Sequence, residues 1–185
     1  MATGAGGLGG RLGGRSFARQ FAHYLIRYAT WIPPLIWFNT YVAEVTFIRG
    51  PSMYPYFNPQ YNESLKKDLC LVWKLYAQEG LARGMVVTFR NPYDPRKITV
   101  KRIVGLEGDV VRTRAPYPYE FATIPEGHVW VEGDNGDRSQ DSNHYGPISV
   151  RLITGKVTHV LSPLSRAGRV KWWDHPLRPG VHRRS

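Results

Sequence analysis

Gly50-Pro51-Ser52-Met53-Tyr54-Pro55 follows directly on the only long apolar segment of the chain and precedes a series of short β-like stretches. Two prolines and a glycine hold the backbone here away from helix, so Ser52 is presented on an extended turn where the chain changes character. A serine on a turn is ordinarily just solvated. Its chemistry depends on whether the rest of the chain supplies a base for its hydroxyl and donors for an oxyanion.

Upstream of the turn, residues 1–23 are rich in Gly and Arg and contain no acid. They read as a flexible basic leader without an apolar face long enough for a stable helix, of a composition compatible with mitochondrial targeting. From Tyr24 to Ala43 the chain is mostly apolar and aromatic, with sixteen uncharged residues between Arg27 and Glu44. If Arg27 snorkels, this segment reaches the ~20 residues of a membrane span. Pro33-Pro34 would kink it, which bilayer helices tolerate better than soluble ones. No small-residue cleavage site closes the segment, which argues against a secretory signal peptide. The reading is a single transmembrane anchor over 24–43. Its N-terminal arginines stay on the side of insertion, and Ser52 with everything after it lies across the bilayer.

Downstream, 44–164 is a mainly β domain. Val45–Ile48, Asp68–Lys74, Met85–Phe89, Ile98–Val104, Val110–Thr113, His128–Glu132 and Gly155–Leu161 are β-branched or aromatic runs separated by Gly, Pro, Asn and Asp turns. The formal charge of +11 is unevenly placed: 44–164 holds 15 basic and 13 acidic residues, while 165–185 holds six basic residues against Asp174. A nearly neutral body excludes a broad nucleic-acid-binding face, and 165–185 reads as a basic, solvated, partly disordered tail. Cys70 is the only cysteine, and the six histidines have no close ligand spacing. Catalysis, if present, is metal-free and without a cofactor.

Ile98-Thr99-Val100-Lys101-Arg102-Ile103-Val104-Gly105 puts two cations in the middle of an apolar strand. Side chains alternate across a strand, so Lys101 and Arg102 face opposite ways. An arginine keeps its proton, whereas desolvation can neutralise a lysine at a cost of roughly 3–5 kcal/mol. Lys101 is therefore a credible general base for Ser52; the bland alternative is a lysine on an edge strand, in solvent. A third piece, Gly133–Asn143, is a long polar loop rich in side-chain-to-backbone turn formers. It lacks the alternating ligands and terminal Glu of a calcium loop.

These stretches, Gly50–Pro55, Arg83–Phe89, Val100–Asp109 and Gly133–Pro147, occur in the order and approximate spacing of the type I signal peptidases, and from the anchor to about Leu161 the chain resembles that Ser-Lys protease family. It is most similar to the family's mitochondrial inner-membrane branch, and within it to the group with asparagine at the position of Asn143, where most type I signal peptidases have arginine. The resemblance implies that Ser52 is the nucleophile, Lys101 its base, and Ser139 a hydroxyl that hydrogen-bonds and orients the lysine amine. It implies a structural role for Asp141; with Asn143 beside it, Asp141 is expected to pair with Arg102 alone. It implies an extended peptide substrate between two strands, with Phe47, Ile48, Ile98 and Val100 lining shallow apolar pockets. It further implies precursor proteins as substrates, a sibling catalytic subunit as partner, a catalytic domain in the intermembrane space, and no nucleic acid. Many bacterial members carry a serine at the position of Gly50 that helps bind the oxyanion, so here the second donor is unassigned.

The rival readings are a bacterial or plastid leader peptidase with the same chemistry, a Ser-His hydrolase using His128 or His144, and a non-catalytic anchored subunit of a protease complex. The second lacks the flanking glycine of a nucleophile elbow after Ser52. The third has no need of a lysine on an apolar strand. Self-cleaving Ser-Lys repressors carry a DNA-binding domain where this chain has its apolar segment.

Overall fold

The structure is a computed structural model and describes residues 13–59, 67–176 and 179–183. The chain divides into two compact units, one ending at Thr40 and the other beginning at Tyr41.

The first unit is helical. Helix α1 runs over Gly13–Ala29 and α2 over Ile32–Tyr41. Part of the expected leader is thus helix, and residues 1–12 lie outside the described residues. The correction has a local cause. Phe21, Tyr24, Leu25 and Tyr28 recur at helical spacing, with His23 and Arg27 between them, and this pattern supports helix well ahead of Tyr24. The expected single span over 24–43 is also two pieces. Pro33 and Pro34 have no N–H to reach the carbonyls of Ala29 and Thr30, so the ladder cannot cross. α1 ends with Thr30 Oγ1 donating to the Arg27 carbonyl (2.7 Å), and α2 restarts with both prolines in its first turn. Among the described residues no helix is long and apolar enough to cross a membrane. Phe21, Leu25, Ile26, Trp31, Leu35, Ile36 and Trp37 are all exposed.

The second unit is mainly β, as expected. Its strands are β1 (Ala43–Phe47), β2 (Leu69–Trp73), β3 (Val86–Arg90), β4 (Ile98–Gly105), β5 (Asp109–Arg112), β6 (Phe121–Thr123), β7 (His128–Glu132), β8 (Ile148–Ser149), β9 (Ile153–Ser162), β10 (Gly168–Arg169) and β11 (Val181–Arg183). A four-residue helix, α3 (Ser142–Tyr145), interrupts them. The larger sheet has the order β1-β2-β9-β3-β4-β7-β8 with β10 on β9, and the smaller has the order β11-β5-β6. All pairings are antiparallel.

β3 shows why the larger sheet carries apolar residues on both faces. Val86 joins Ile48, Met53, Phe57, Cys70 and Val160 on one side; Val87 joins Phe89, Ile103, Val131 and Ile153 on the other. A strand covered on both faces reads as a continuous apolar run rather than as alternation. The C-terminal stretch is not the solvated tail that its charge suggests. Val170 is buried in the first of these clusters, and Val181–Arg183 pairs with β5. Its apolar residues are spaced among arginines, so charge count alone hides the pairing.

Candidate active site

Ser52 lies on a turn built by its neighbours. The Tyr54 N–H donates to the Pro51 carbonyl (3.1 Å) and the Phe57 N–H to the Met53 carbonyl (2.8 Å), while Met53 and Phe57 sink into the core. Two apolar side chains anchor the turn from beneath and leave Ser52 half-buried above them. Asn58 closes the loop. It is buried at φ +53, a conformation asparagine tolerates better than most residues. Its Nδ2 donates to the Ile48 carbonyl (2.9 Å), its Oδ1 accepts from the Asp68 N–H (2.7 Å), and its own N–H donates to Asp68 Oδ2 (2.9 Å). Arg166 holds Asp68 from the far side through Nη1 (2.7 Å). The sequence offered no sign of this clasp beyond a polar residue in a turn.

Lys101 is on an interior strand, 3% exposed, which disposes of the solvent-facing alternative. It pairs in register with Val87 and therefore shares the face of Val87 and Ile103. Burial there pulls its amine from the ordinary 10.5 down to about 8, against the opposing attraction of Asp141 and then Asp134. A lysine in that range can act as a base near neutral pH.

The loop after β7 meets the turn of Ser52 and follows the strand that pairs beside Lys101. The Asn135 N–H donates to the Ser52 carbonyl (3.0 Å), and Arg102, next to Lys101, pairs in register with Glu132 at the end of β7. Gly133 sits at the meeting point. A Cβ there would collide with the Ser139 hydroxyl and the Ser52 carbonyl, so only glycine lets the turn and the loop close on each other. The fold thus brings Ser52, Ser139 and Asp141 around Gly133, with the charge of Asp141 acting on Lys101.

Two expected partners differ. Ser139 donates to Asp141 Oδ2 (2.6 Å), which leaves its oxygen lone pairs to accept. Asp141 does not pair with Arg102. Its acceptors take the Ser139 hydroxyl, the Gly133 N–H (3.0 Å), the Asn143 N–H (3.1 Å) and Asn143 Nδ2 (3.0 Å). Arg102 instead grips Asp134 with Nε and Nη2 (2.8 and 2.7 Å), donates Nη1 to the Gly84 carbonyl (2.8 Å), and lies over the Tyr56 ring. The reason is register. Arg102 shares its face with Val86 and Glu132, and Asp134 is the next acid beyond the end of that strand pair.

Two further charged residues escaped the sequence reading. Glu132 is buried at the end of β7 and accepts from Trp130 Nε1 (2.9 Å), Asn143 Nδ2 (3.2 Å) and Arg114 Nη2 (2.6 Å). Arg114 also gives its backbone N–H to Asn143 Oδ1 (2.7 Å). A carboxylate inside an apolar strand was the same kind of signal as Lys101. Arg114, in a loop, carried none.

Of the residues expected to touch substrate, Phe47 and Ile98 are exposed and Val100 is half-buried against the core under Ser52. Ile48 is a correction: it is 1% exposed within that core, because its N–H and carbonyl are taken by Asp68 and Asn58.

A family model described as "Signal peptidase, peptidase S26" matches residues 22–116 and 115–162. The chain belongs to this family and is a serine protease of the signal-peptidase type. It is 44% identical over 151 residues to mitochondrial inner membrane protease subunit 2 of Schizosaccharomyces pombe, covering 82% of this chain and 81% of that protein. It is 41% identical over 141 residues to subunit 2 of Saccharomyces cerevisiae, covering 75% and 79%. To subunit 1 of Homo sapiens the identity is 37% over 133 residues, covering 69% and 75%.

Proposed function

We propose that this protein is a catalytic subunit of a mitochondrial inner membrane protease, an endopeptidase that removes sorting peptides from proteins delivered to the intermembrane space. The observation that carries the reading is a lysine 3% exposed on an apolar strand, its amine lowered by burial to about 8 so that a usable fraction is neutral near physiological pH, next to a loop that closes through Gly133 on a turn-borne serine.

In this mechanism Ser52 Oγ attacks the scissile carbonyl as neutral Lys101 takes its proton. The lysine then delivers that proton to the departing amine, and water, activated by the same amine, releases the acyl group. Ser139, fixed by Asp141, offers its oxygen to orient the lysine. With no side chain at Gly50, the oxyanion relies on main-chain donors, the Ser52 N–H first.

An extended substrate has a place to pair. β4 is matched to β7 only from Arg102 onward, so on that side Ile98–Lys101 has no strand partner among the described residues; β1 is an edge strand. A peptide adding to such an edge runs alongside Phe47, Ile98 and Val100. The exposed apolar helices α1 and α2 suit a bilayer, and the segment over 24–43 is assigned as the anchor, with the β domain in the intermembrane space. The relatives' names, subunits 1 and 2, support a sibling subunit as partner.

The test is the purified full chain with its sibling, given candidate precursor proteins, with product N-termini sequenced. Cleavage by wild type and none by Ser52→Ala or Lys101→Met is expected. Retained processing by Ser52→Ala overturns the mechanism.

A further inference from the structure

Asp141 and Asp134 act on the lysine, Glu132 lies beside Asp141 across Asn143, and the structure distributes cations among these three carboxylates unevenly. Asp134 is paired with Arg102 and Glu132 with Arg114, at 2.7 and 2.6 Å. Asp141, 1% exposed, has no salt bridge among the described residues; all four of its donors are neutral. A buried anion so held, with no cation of its own, directs its charge at the nearest titratable amine.

Asn143 arranges this. Its Oδ1 is committed to the Arg114 N–H, which forces Nδ2 to face the two carboxylates, and Nδ2 donates to both Asp141 Oδ1 and Glu132 Oε1. One neutral amide thereby ties the two acids together while the guanidinium of Arg114 stays on Glu132. We propose that Asp141 is the counter-charge of Lys101, and that Asn143 is the positioning residue that keeps Asp141 free of any other cation. As Ser52 passes its proton to Lys101, the amine becomes an ammonium, and the fixed negative charge of Asp141 favours that change where a guanidinium at position 143 would oppose it. This deepens the proposed protease mechanism and rests on it.

The surroundings of Lys101 are few. Asp141 and Asp134 act on it from the loop after β7; Tyr145, on α3, neighbours Asp141; Arg102, on the same strand, faces the other way; Val87 and Thr88 of β3 carry no charge. Removing or neutralising Asp141 must therefore lower the pH at which Lys101 loses its proton.

The test follows the Cε chemical shift of Lys101 in the full chain in detergent, with lysines labelled and the signal assigned by its loss in Lys101→Met. Asp141→Asn and Asn143→Arg are each expected to move the titration midpoint down by about one pH unit, a tenfold change in the neutral fraction on the acid side. Because both act through Asp141, the double variant should shift little further than either single one. Asn143→Lys replaces the arginine variant if that does not fold. The acid limb of the pH–rate profile for peptide cleavage should move with the midpoint. An unchanged midpoint in the folded variants, or a rate loss uniform in pH, makes the residues merely structural and overturns the proposal. A wild type that cleaves nothing sinks the protease reading, and the titration still decides this one.

Discussion

Arg102 and Asp134 form a two-pronged ion pair, Nε to Oδ1 at 2.8 Å and Nη2 to Oδ2 at 2.7 Å, with side chains only 3% and 7% exposed. The pair lies one residue from Lys101 on one side and one residue from Asn135 on the other, and the Asn135 N–H holds the Ser52 carbonyl. It therefore fixes the spacing between the strand that carries Lys101 and the turn that carries Ser52. Removing the guanidinium leaves Asp134 buried and uncompensated. Arg102→Met should destabilise the folded chain by about 3–5 kcal/mol in a denaturant melt, and Arg102→Met with Asp134→Asn should recover most of that loss. A single variant as stable as wild type would deny the pair this role.

Lys101 is held at a cost that depends on pH. Its folded value lies below its unfolded one, about 8 against 10.5, so between those values the unfolded chain binds more protons and stability rises with pH. Below the folded value the full penalty is present, about 3 kcal/mol for a drop of that size. Lys101→Met should abolish cleavage yet unfold at a higher denaturant concentration than wild type at pH 7. That advantage should shrink as the pH approaches the unfolded lysine value. A variant less stable than wild type at pH 7 would contradict the burial argument.

Gly133 admits no side chain because the Ser139 hydroxyl and the Ser52 carbonyl converge on it. Gly133→Ala must push the loop off the turn, and overpacking of this kind costs about 1–3 kcal/mol. The greater loss should be in rate, more than about tenfold, since misplacing reacting groups by a fraction of an ångström is enough. The measurement is kcat/KM beside a melt, and a normal rate would mean that turn and loop need not touch.

Asn58 tests whether Ser52 depends on its clasp. Asn58→Ala removes the bonds to Ile48 and Asp68 and puts an alanine at positive φ. Two buried groups left without partners cost about 2–5 kcal/mol together. Acylation of Ser52 by an active-site-directed reagent should slow in parallel, because the loop that carries it is no longer tied at its end. Equal acylation rates in a destabilised variant would separate the clasp from the nucleophile.

The amino-acid sequence alone determined the longer β elements and singled out Ser52 and Lys101 as the candidate pair, because both are written locally. A β-branched run between turn formers marks a strand, and a lysine among apolar neighbours marks a charge that burial must either neutralise or expel. Helix α1 was missed at its start because Gly and Arg dominate the count there, although Phe21, Tyr24, Leu25 and Tyr28 keep the helical spacing. β11 was missed because a three-residue strand has no meaning until β5 is beside it. What only the tertiary structure decided is which charge meets which. Asp141, Asp134 and Glu132 are equivalent on paper as acids near one another in sequence. The register of β4 on β7 gives Arg102 to Asp134, 32 residues further along the chain, and a loop 18 residues upstream of Glu132 brings it Arg114. Asp141 is left with neutral donors facing the lysine. Coulomb energy depends on distance through space and on burial, and neither is a property of position along the chain.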